Sequence, residues 1–229
     1  DRIVVDNGII GQLANGAFTL LCLAKPLTLS GNPSIMGPLD GSNWIAVLQT
    51  DSSGGALDLS DDNDFCQIGS MNVNTTTWQI IAVTCSAPGA APRFHRKQLG
   101  SGVWTRQSSG TNFNGNTFAA PTVEFGSTNN GAFSSFWNGR LAVAAIWNSV
   151  VSDGTLDTIE STATTAGIAA TSPQALWDFN QANVADDVLD LTGNGANETT
   201  ISGTTVVGGD DPAWTFGVTA VGNLAWVRA

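Results

Sequence analysis

The sequence predicts an all-β fold, a two-sheet antiparallel jelly-roll sandwich with one short helix. Charge is scarce to begin with: 12% of the 229 residues are Asp, Glu, Lys or Arg, about half of the roughly 25% usual in globular chains. With three glutamates and two lysines the chain lacks the side chains that build exposed helix faces, and Gly, Asn, Thr and Ser replace them. Short β-rich runs then recur at regular spacing: Phe18 to Ala24, Trp44 to Gln49, Trp78 to Cys85, Pro92 to Lys97, Thr122 to Phe125, Leu141 to Trp147, Leu176 to Phe179 and Thr204 to Val207. Turn residues separate them, as in Ser30-Gly31-Asn32-Pro33, Ser52-Ser53-Gly54-Gly55, Asn114-Gly115-Asn116 and Asn129-Asn130-Gly131. Many short strands between such turns mark a sandwich or barrel.

Three of the runs, Phe18 to Ala24, Trp78 to Cys85 and Leu141 to Trp147, are apolar at nearly every position. A half-wet strand alternates; a strand covered on both faces does not. These are therefore central strands whose outer face is covered by loops, by the C-terminal segment or by a partner. The only helix expected spans Val151 to Ala163. Ser152 is its N-cap, Val151 staples onto Leu156, and Leu156, Ile159 and Ala163 share one face. Residues 164–172 read as a linker.

A formal net charge of −11 with eight Lys and Arg excludes nucleic acid and anionic membranes as partners, since both need concentrated positive charge. The one basic run, Arg93-Phe94-His95-Arg96-Lys97, alternates like a strand and reads as a solvated strand face. Cys22, Cys66 and Cys85 are odd in number, lack C-x-x-C spacing and read as free buried thiols. No stretch approaches the roughly 18 apolar residues of a membrane span. The chain opens on Asp1 without an initiator Met or a signal-peptide pattern, and is expected to be a processed product or part of something longer.

Three blocks together resemble a laminin G-like module of the concanavalin A-like jelly-roll class. They are Phe18-Thr19-Leu20 with Lys25-Pro26; Trp78-Gln79-Ile80-Ile81-Ala82-Val83-Thr84; and Trp137-Asn138-Gly139-Arg140-Leu141 through Trp147-Asn148-Ser149-Val150-Val151-Ser152-Asp153. A fourth, Asp190-Leu191-Thr192-Gly193-Asn194-Gly195, resembles a turn that such modules carry near their start. Its late position suggests a circular permutation in which residues 173–229 complete the sheet of one domain spanning residues 1–229; a truncated second module is the alternative. The resemblance extends to accessory tail and capsid proteins of bacteriophages, and implies a recognition module on a cell exterior or virion surface. Two classes of role compete: glycan binding, and decoration of a larger assembly through apolar positions such as Trp214, Phe216 or Trp226.

Catalysis is not expected. Paired carboxylates for glycoside hydrolysis are missing, because Glu124, Glu160 and Glu198 have no partner at strand spacing, and Glu124 reads as an outward strand residue. The sole histidine, His95, lies in the basic strand with no G-x-S-x-G elbow, and reads as a surface residue. Zinc fails for want of His and paired Cys. Calcium is open: Asp61, Asp62 and Asp64, with Asn63 and Asp58, offer oxygen ligands without EF-hand spacing, and the same run reads equally as an acidic hairpin turn. Asp190 to Asn194 reads as a turn whose side chains cap backbone amides. Of the eight tryptophans, Trp44, Trp78, Trp147 and Trp177 belong to apolar strands and the interior. Trp104 is flanked by polar residues, and together with Arg106, Asn112, Phe113 and Asn114 it forms the candidate sugar site, an aromatic platform with amides and a guanidinium.

Overall fold

The computed structural model describes residues 2–6, 16–29, 31, 33–40, 43–44, 47–50, 54–60, 65–101, 103–114, 122–126, 137–179, 188, 190–194, 198–202, 204–207 and 223–226. Its strands form two antiparallel sheets. Sheet A runs in the order β14 (Glu198–Ser202), β1 (Arg2–Asp6), β11 (Thr122–Phe125), β3 (Ser34–Asp40), β5 (Val47–Thr50), β6 (Ala56–Ser60) and β7 (Phe65–Asn72), with β4 (Asn43–Trp44) paired to β3. Sheet B runs β10 (Trp104–Ser108), β9 (Arg93–Gln98), β8 (Gln79–Cys85), β2 (Phe18–Pro26), β12 (Gly139–Trp147), β16 (Asn223–Trp226) and β15 (Thr204–Val207), with β13 (Ala175–Asp178) paired to β12. The expected two-sheet sandwich is the observed architecture.

The two faces of sheet B explain the strands without alternation. Leu20, Cys22 and Ala24 of β2 point between the sheets, together with Ile81 and Val83 of β8 and Ala144 and Ile146 of β12. Their neighbours Leu21, Leu23, Ile80, Ala82, Val143 and Ala145 form a second cluster on the outside. The cover is the chain itself. Helix α1 (Asp153–Thr162) and helix α2 (Thr165–Ala169) lay Leu156, Ile159 and Ile168 on that outer cluster, each side chain contributing about 1.5 to 3 kcal/mol on burial.

Helix α1 starts where its cap predicts. The Thr155 amide donates to Ser152 Oγ at 3.1 Å, and the helix stops at Ala163, which takes a left-handed φ of 49°. The segment read as a linker is partly helical instead. Thr164 Oγ1 accepts from the Gly167 amide at 2.8 Å and opens α2, a helix of five residues, too short to show a helical period in the sequence.

Between the sheets the core is aromatic. Phe125 meets Trp177 and Phe179 edge to face, each with centroids 5.0 Å apart, a geometry that favours aromatic pairs beyond their area. Trp78, Trp137, Trp147 and Trp177 are all buried; Trp44 lies on β4, and its side chain is outside the described residues. At the corner leading into β12, a Cβ on Gly139 would come within 2.6 Å of the Trp137 ring and 2.7 Å of the Lys25 carbonyl oxygen. Only glycine lets that close approach stand. All three cysteines are buried thiols, and burial pushes those of Cys22 and Cys85 up, away from nucleophilic thiolate.

Strands from residues 173–229 enter both sheets. β13 and β16 pair with β12, β15 pairs with β16, and β14 pairs with β1. Residue 203 alone separates β14 from β15, so the chain passes from the edge of one sheet to the edge of the other there. The turn after β13 is pinned by Asp190, whose Oδ1 accepts from the amides of Leu176 at 3.1 Å and Thr192 at 3.0 Å. Asn194 Nδ2 donates to the Gln174 carbonyl at 2.8 Å. Trp214 and Phe216 lie outside the described residues, and Trp226 pairs in register with Gly139.

Candidate functional site

The five residues of the sequence-predicted sugar site do not come together. Trp104 stands opposite Lys97, while Phe113 bridges Ala90; seven residues of extended chain put them roughly 23 Å apart. Phe113 belongs to the core, buried edge to face against Phe18 with centroids 5.6 Å apart. Asn112 and Asn114 are exposed at that end of the sheet. Trp104 and Arg106 do sit together, the guanidinium carbon 4.8 Å from the ring centroid, but Trp104 packs on the outer cluster of sheet B. Arg106 is spent on helix α1, donating to the Asp153 carbonyl at 3.2 Å and to the Asp157 carboxylate.

The same helix corrects the reading of the basic strand. Arg93 pairs with Asp153 at 2.8 Å and Lys97 with Glu160 at 2.7 Å, so this face is covered by carboxylates of α1. His95 is 1% exposed, not a surface residue. Its Nε2 lies 3.2 Å from Thr84 Oγ1, and its Nδ1 lies 3.6 Å from Asp153 Oδ1 without a hydrogen bond. Burial drives its pKa down to about 4, with Asp153 opposing and Arg93 and Arg106 reinforcing the shift. The ring is neutral near pH 7.

The outward face of sheet A is built differently. Leu48, Leu57, Leu59, Cys66, Ile68 and Met71 point into the core. Strict alternation then turns their neighbours out, and the register aligns Ser34, Gln49, Asp58 and Gln67 in one row across β3, β5, β6 and β7. The next row carries Ser60 opposite Phe65. Burial falls along the first row: Ser34 is 0% exposed, Gln49 1% and Asp58 5%, whereas Gln67 is exposed. Beside Gln67, Phe65 is 56% exposed, and Gly69 leaves open space next to it on the same strand.

The inner members hold Asp58. Gln49 Nε2 donates to Asp58 Oδ2 at 3.2 Å and to Ser60 Oγ at 2.6 Å, and Ser60 Oγ donates to Asp58 Oδ1 at 3.4 Å. Two buried oxygens of the row, Gln49 Oε1 and Ser34 Oγ, have no hydrogen-bond partner among the described residues, which is rare in folded proteins. An oriented carboxylate, an exposed amide and an exposed ring thus stand side by side at one edge of the sheet. Sequence alone missed the set, because Phe65 turns outward only once the β6–β7 register places Cys66 and Ile68 inside. The alternation Cys66-x-Ile68 was the available signal.

Ser60 and Phe65 are paired across the β6–β7 hairpin, so the acidic run joins two paired strands. Asp61, Asp62 and Asp64 themselves, the candidate calcium ligands, lie outside the described residues. Glu124 faces outward on sheet A as its alternation predicts, yet it is 4% exposed, a buried residue where a solvated one was expected. Three strand spacings separate β11 from β6, placing Glu124 about 14 Å from Asp58, beyond the roughly 5 to 9.5 Å of a glycosidase pair. Glu160 stands on the other side of the sandwich, against Lys97.

The chain matches no protein-family model and no curated sequence. Among solved structures it is similar to a candidate carbohydrate-binding protein of Bacteroides ovatus, at 15% identity over 87% of this chain and 55% of that one, with a TM-score of 0.60. The chain therefore spans little more than half of that protein. Weaker likenesses are to the CBM40 of Ruminococcus gnavus IT-sialidase bound to α2,3-sialyllactose (12% identity, 65% of this chain, 84% of that one, TM-score 0.46) and to scytalido-glutamic peptidase (11% identity, 99% and 97%, TM-score 0.38). At 15% identity the likeness to the Bacteroides ovatus protein is one of fold.

Proposed function

We propose that the chain is a non-catalytic carbohydrate-recognition module working on the exterior of a cell or virion, with its ligand surface on the outward face of sheet A at β6 and β7. The observation that carries this reading is Phe65, 56% exposed beside Gln67 and the held carboxylate of Asp58. A ring left half exposed gains less from folding than a buried one, and offers the flat apolar surface on which the C–H face of a sugar packs. The neighbouring carboxylate and amide supply the polar groups that fix orientation in a mostly apolar contact. The fold shared with the candidate carbohydrate-binding protein of Bacteroides ovatus agrees with this reading, as an analogy of fold.

Decoration of a larger assembly draws no support from sheet B, since the apolar outer face that would have docked is covered by α1 and α2. The test is a glycan array followed by calorimetric titration of the best ligand. Phe65→Ala is expected to weaken binding by roughly 1 to 3 kcal/mol, as for loss of one aromatic anchor, with an unchanged melting curve. Binding lost on Trp104→Ala and kept on Phe65→Ala would move the site to the other sheet, and no binding to any glycan would overturn the proposal.

A further inference from the structure

We infer that helix α1 is an acid-released cover: protonation of His95 beneath it loosens the helix from sheet B while the two sheets stay paired. The inference stands apart from the carbohydrate reading. It begins with the charges of the interface. The acidic residues of α1 are Asp153, Asp157 and Glu160, and the helix carries no basic residue. Each meets a cation of the strands below. Asp153 pairs with Arg93 at 2.8 Å, Asp157 with Arg106, and Glu160 with Lys97 at 2.7 Å. Carboxylates and cations balance one for one, provided that the imidazole among them is neutral.

A proton on His95 breaks that balance. The ring stands between Arg93 and Lys97 on the outward face of β9 and opposite Arg106 on β10, and its neighbour on β8 is the uncharged Thr84. From α1 it is faced by Asp153, whose Oδ1 lies 3.6 Å from Nδ1 without a hydrogen bond, and by Asp157. Those two carboxylates already serve Arg93 and Arg106. A further cation would be sealed at 1% exposure with no anion of its own, and a buried charge in that position is costly. Water can solvate the imidazolium once the helix lifts.

The helix can lift without the sheets. It is tied to β9 and β10 by side chains, whereas β2 is paired along its length with β8 on one side and β12 on the other. Both ends of α1 are fixed joints. Before it, the Thr19 hydroxyl of β2 donates to the Ser149 carbonyl at 2.7 Å and accepts from the Val151 amide at 2.9 Å. After it, the chain turns at Ala163 with a left-handed φ of 49°. Between these joints α1 rests on Leu156, Ile159 and the three ion pairs, so its release bares part of the outer apolar cluster.

The experiment is hydrogen exchange on the full chain near pH 7 and near pH 4.5, corrected for intrinsic rates, with an NMR titration of the imidazole. His95 is the only histidine of the sequence, so its ring signal is unambiguous. With the ring at about 4 when covered and 6.5 when free, opening of α1 should become on the order of 50-fold more frequent at the lower pH. Amides of residues 153–162 should exchange well ahead of those in β2 and β12. In His95→Gln the acid-driven rise should vanish. Exchange of α1 at the same rate as β2 and β12, or an equal acid rise in His95→Gln, would overturn the inference. Should that variant not fold, the unaltered chain decides: an imidazole that takes up its proton near pH 6.5 with α1 still protected overturns it as well.

Discussion

The two outer faces of the sandwich are opposites. Over sheet B the chain folds back on itself: α1 and α2 bury Leu21, Leu23, Ile80 and Val143, and their carboxylates meet the cations of β9 and β10. Over sheet A, at β6 and β7, no helix packs among the described residues, and the strands carry an oriented carboxylate, an amide and a solvent-facing phenyl ring. The apolar face has been closed by the chain's own material. What stays exposed on the other side is the β7 strand, at Phe65 and Gln67.

Removing the closure should cost far more than blunting the open face. Leu156→Ala, at a fully buried position of α1, is expected to lower unfolding free energy by about 2 to 5 kcal/mol, read from urea denaturation followed by tryptophan fluorescence. In the same assay Phe65→Ala should stay within about 0.5 kcal/mol of the unaltered chain. Equal losses from the two substitutions would erase the contrast.

Acid should attack the closed face next. His95 has a pKa of about 4 in the folded protein against 6.5 for the free side chain, so between those values the unfolded chain binds the proton more readily. Stability is therefore fully present above about pH 6.5 and falls as pH drops, by roughly 2 to 3 kcal/mol from this residue near pH 4.5. His95→Gln should flatten that part of the pH profile measured by urea midpoints. A profile of equal slope in both proteins would show that the ring is not sealed beneath α1.

The smallest effect sharpens the comparison at the helix entry. Ser152→Ala removes the side chain that accepts from the Thr155 amide and should cost about 1 kcal/mol, visible as a lowered melting temperature with no change in any glycan affinity.

Much of the architecture could be read from local pattern. Ser152, Leu156 and Ile159 announced α1, and the unbroken apolar runs from Phe18 and Leu141 announced strands covered on both faces. Neither pattern says what does the covering, and that gap explains the misread residues. Arg93, His95 and Lys97 alternate like a solvated face, and only the docking of α1, sixty residues on from Arg93, buries His95 and Lys97 while Arg93 stays half exposed at the rim. Trp104 looked like a platform because its neighbours in the chain are polar; its neighbours in space are Arg106 and the outer cluster. Phe65 and Gln67 were illegible for the converse reason. An exposed aromatic in a strand looks the same in sequence as a buried one until the pairing register is known.

The first strand of the chain has a distinctive timetable. Ile3 pairs with Phe125 on one side and with Ile201 on the other, so β1 finds neither neighbour until long after it is made. At the usual 5 to 20 residues per second of synthesis, the β14 partner arrives roughly 10 to 40 s after β1 emerges. Hairpins of the other sheet such as β8–β9 and β9–β10 can close within microseconds of appearing. During that interval the Ile3-Val4-Val5 segment is an unpaired apolar strand, the kind of edge that invites pairing with another chain. The edge of sheet A beside β1 is sealed by Glu198–Ser202, so the pairing of β1 is complete only once that distant segment has been made.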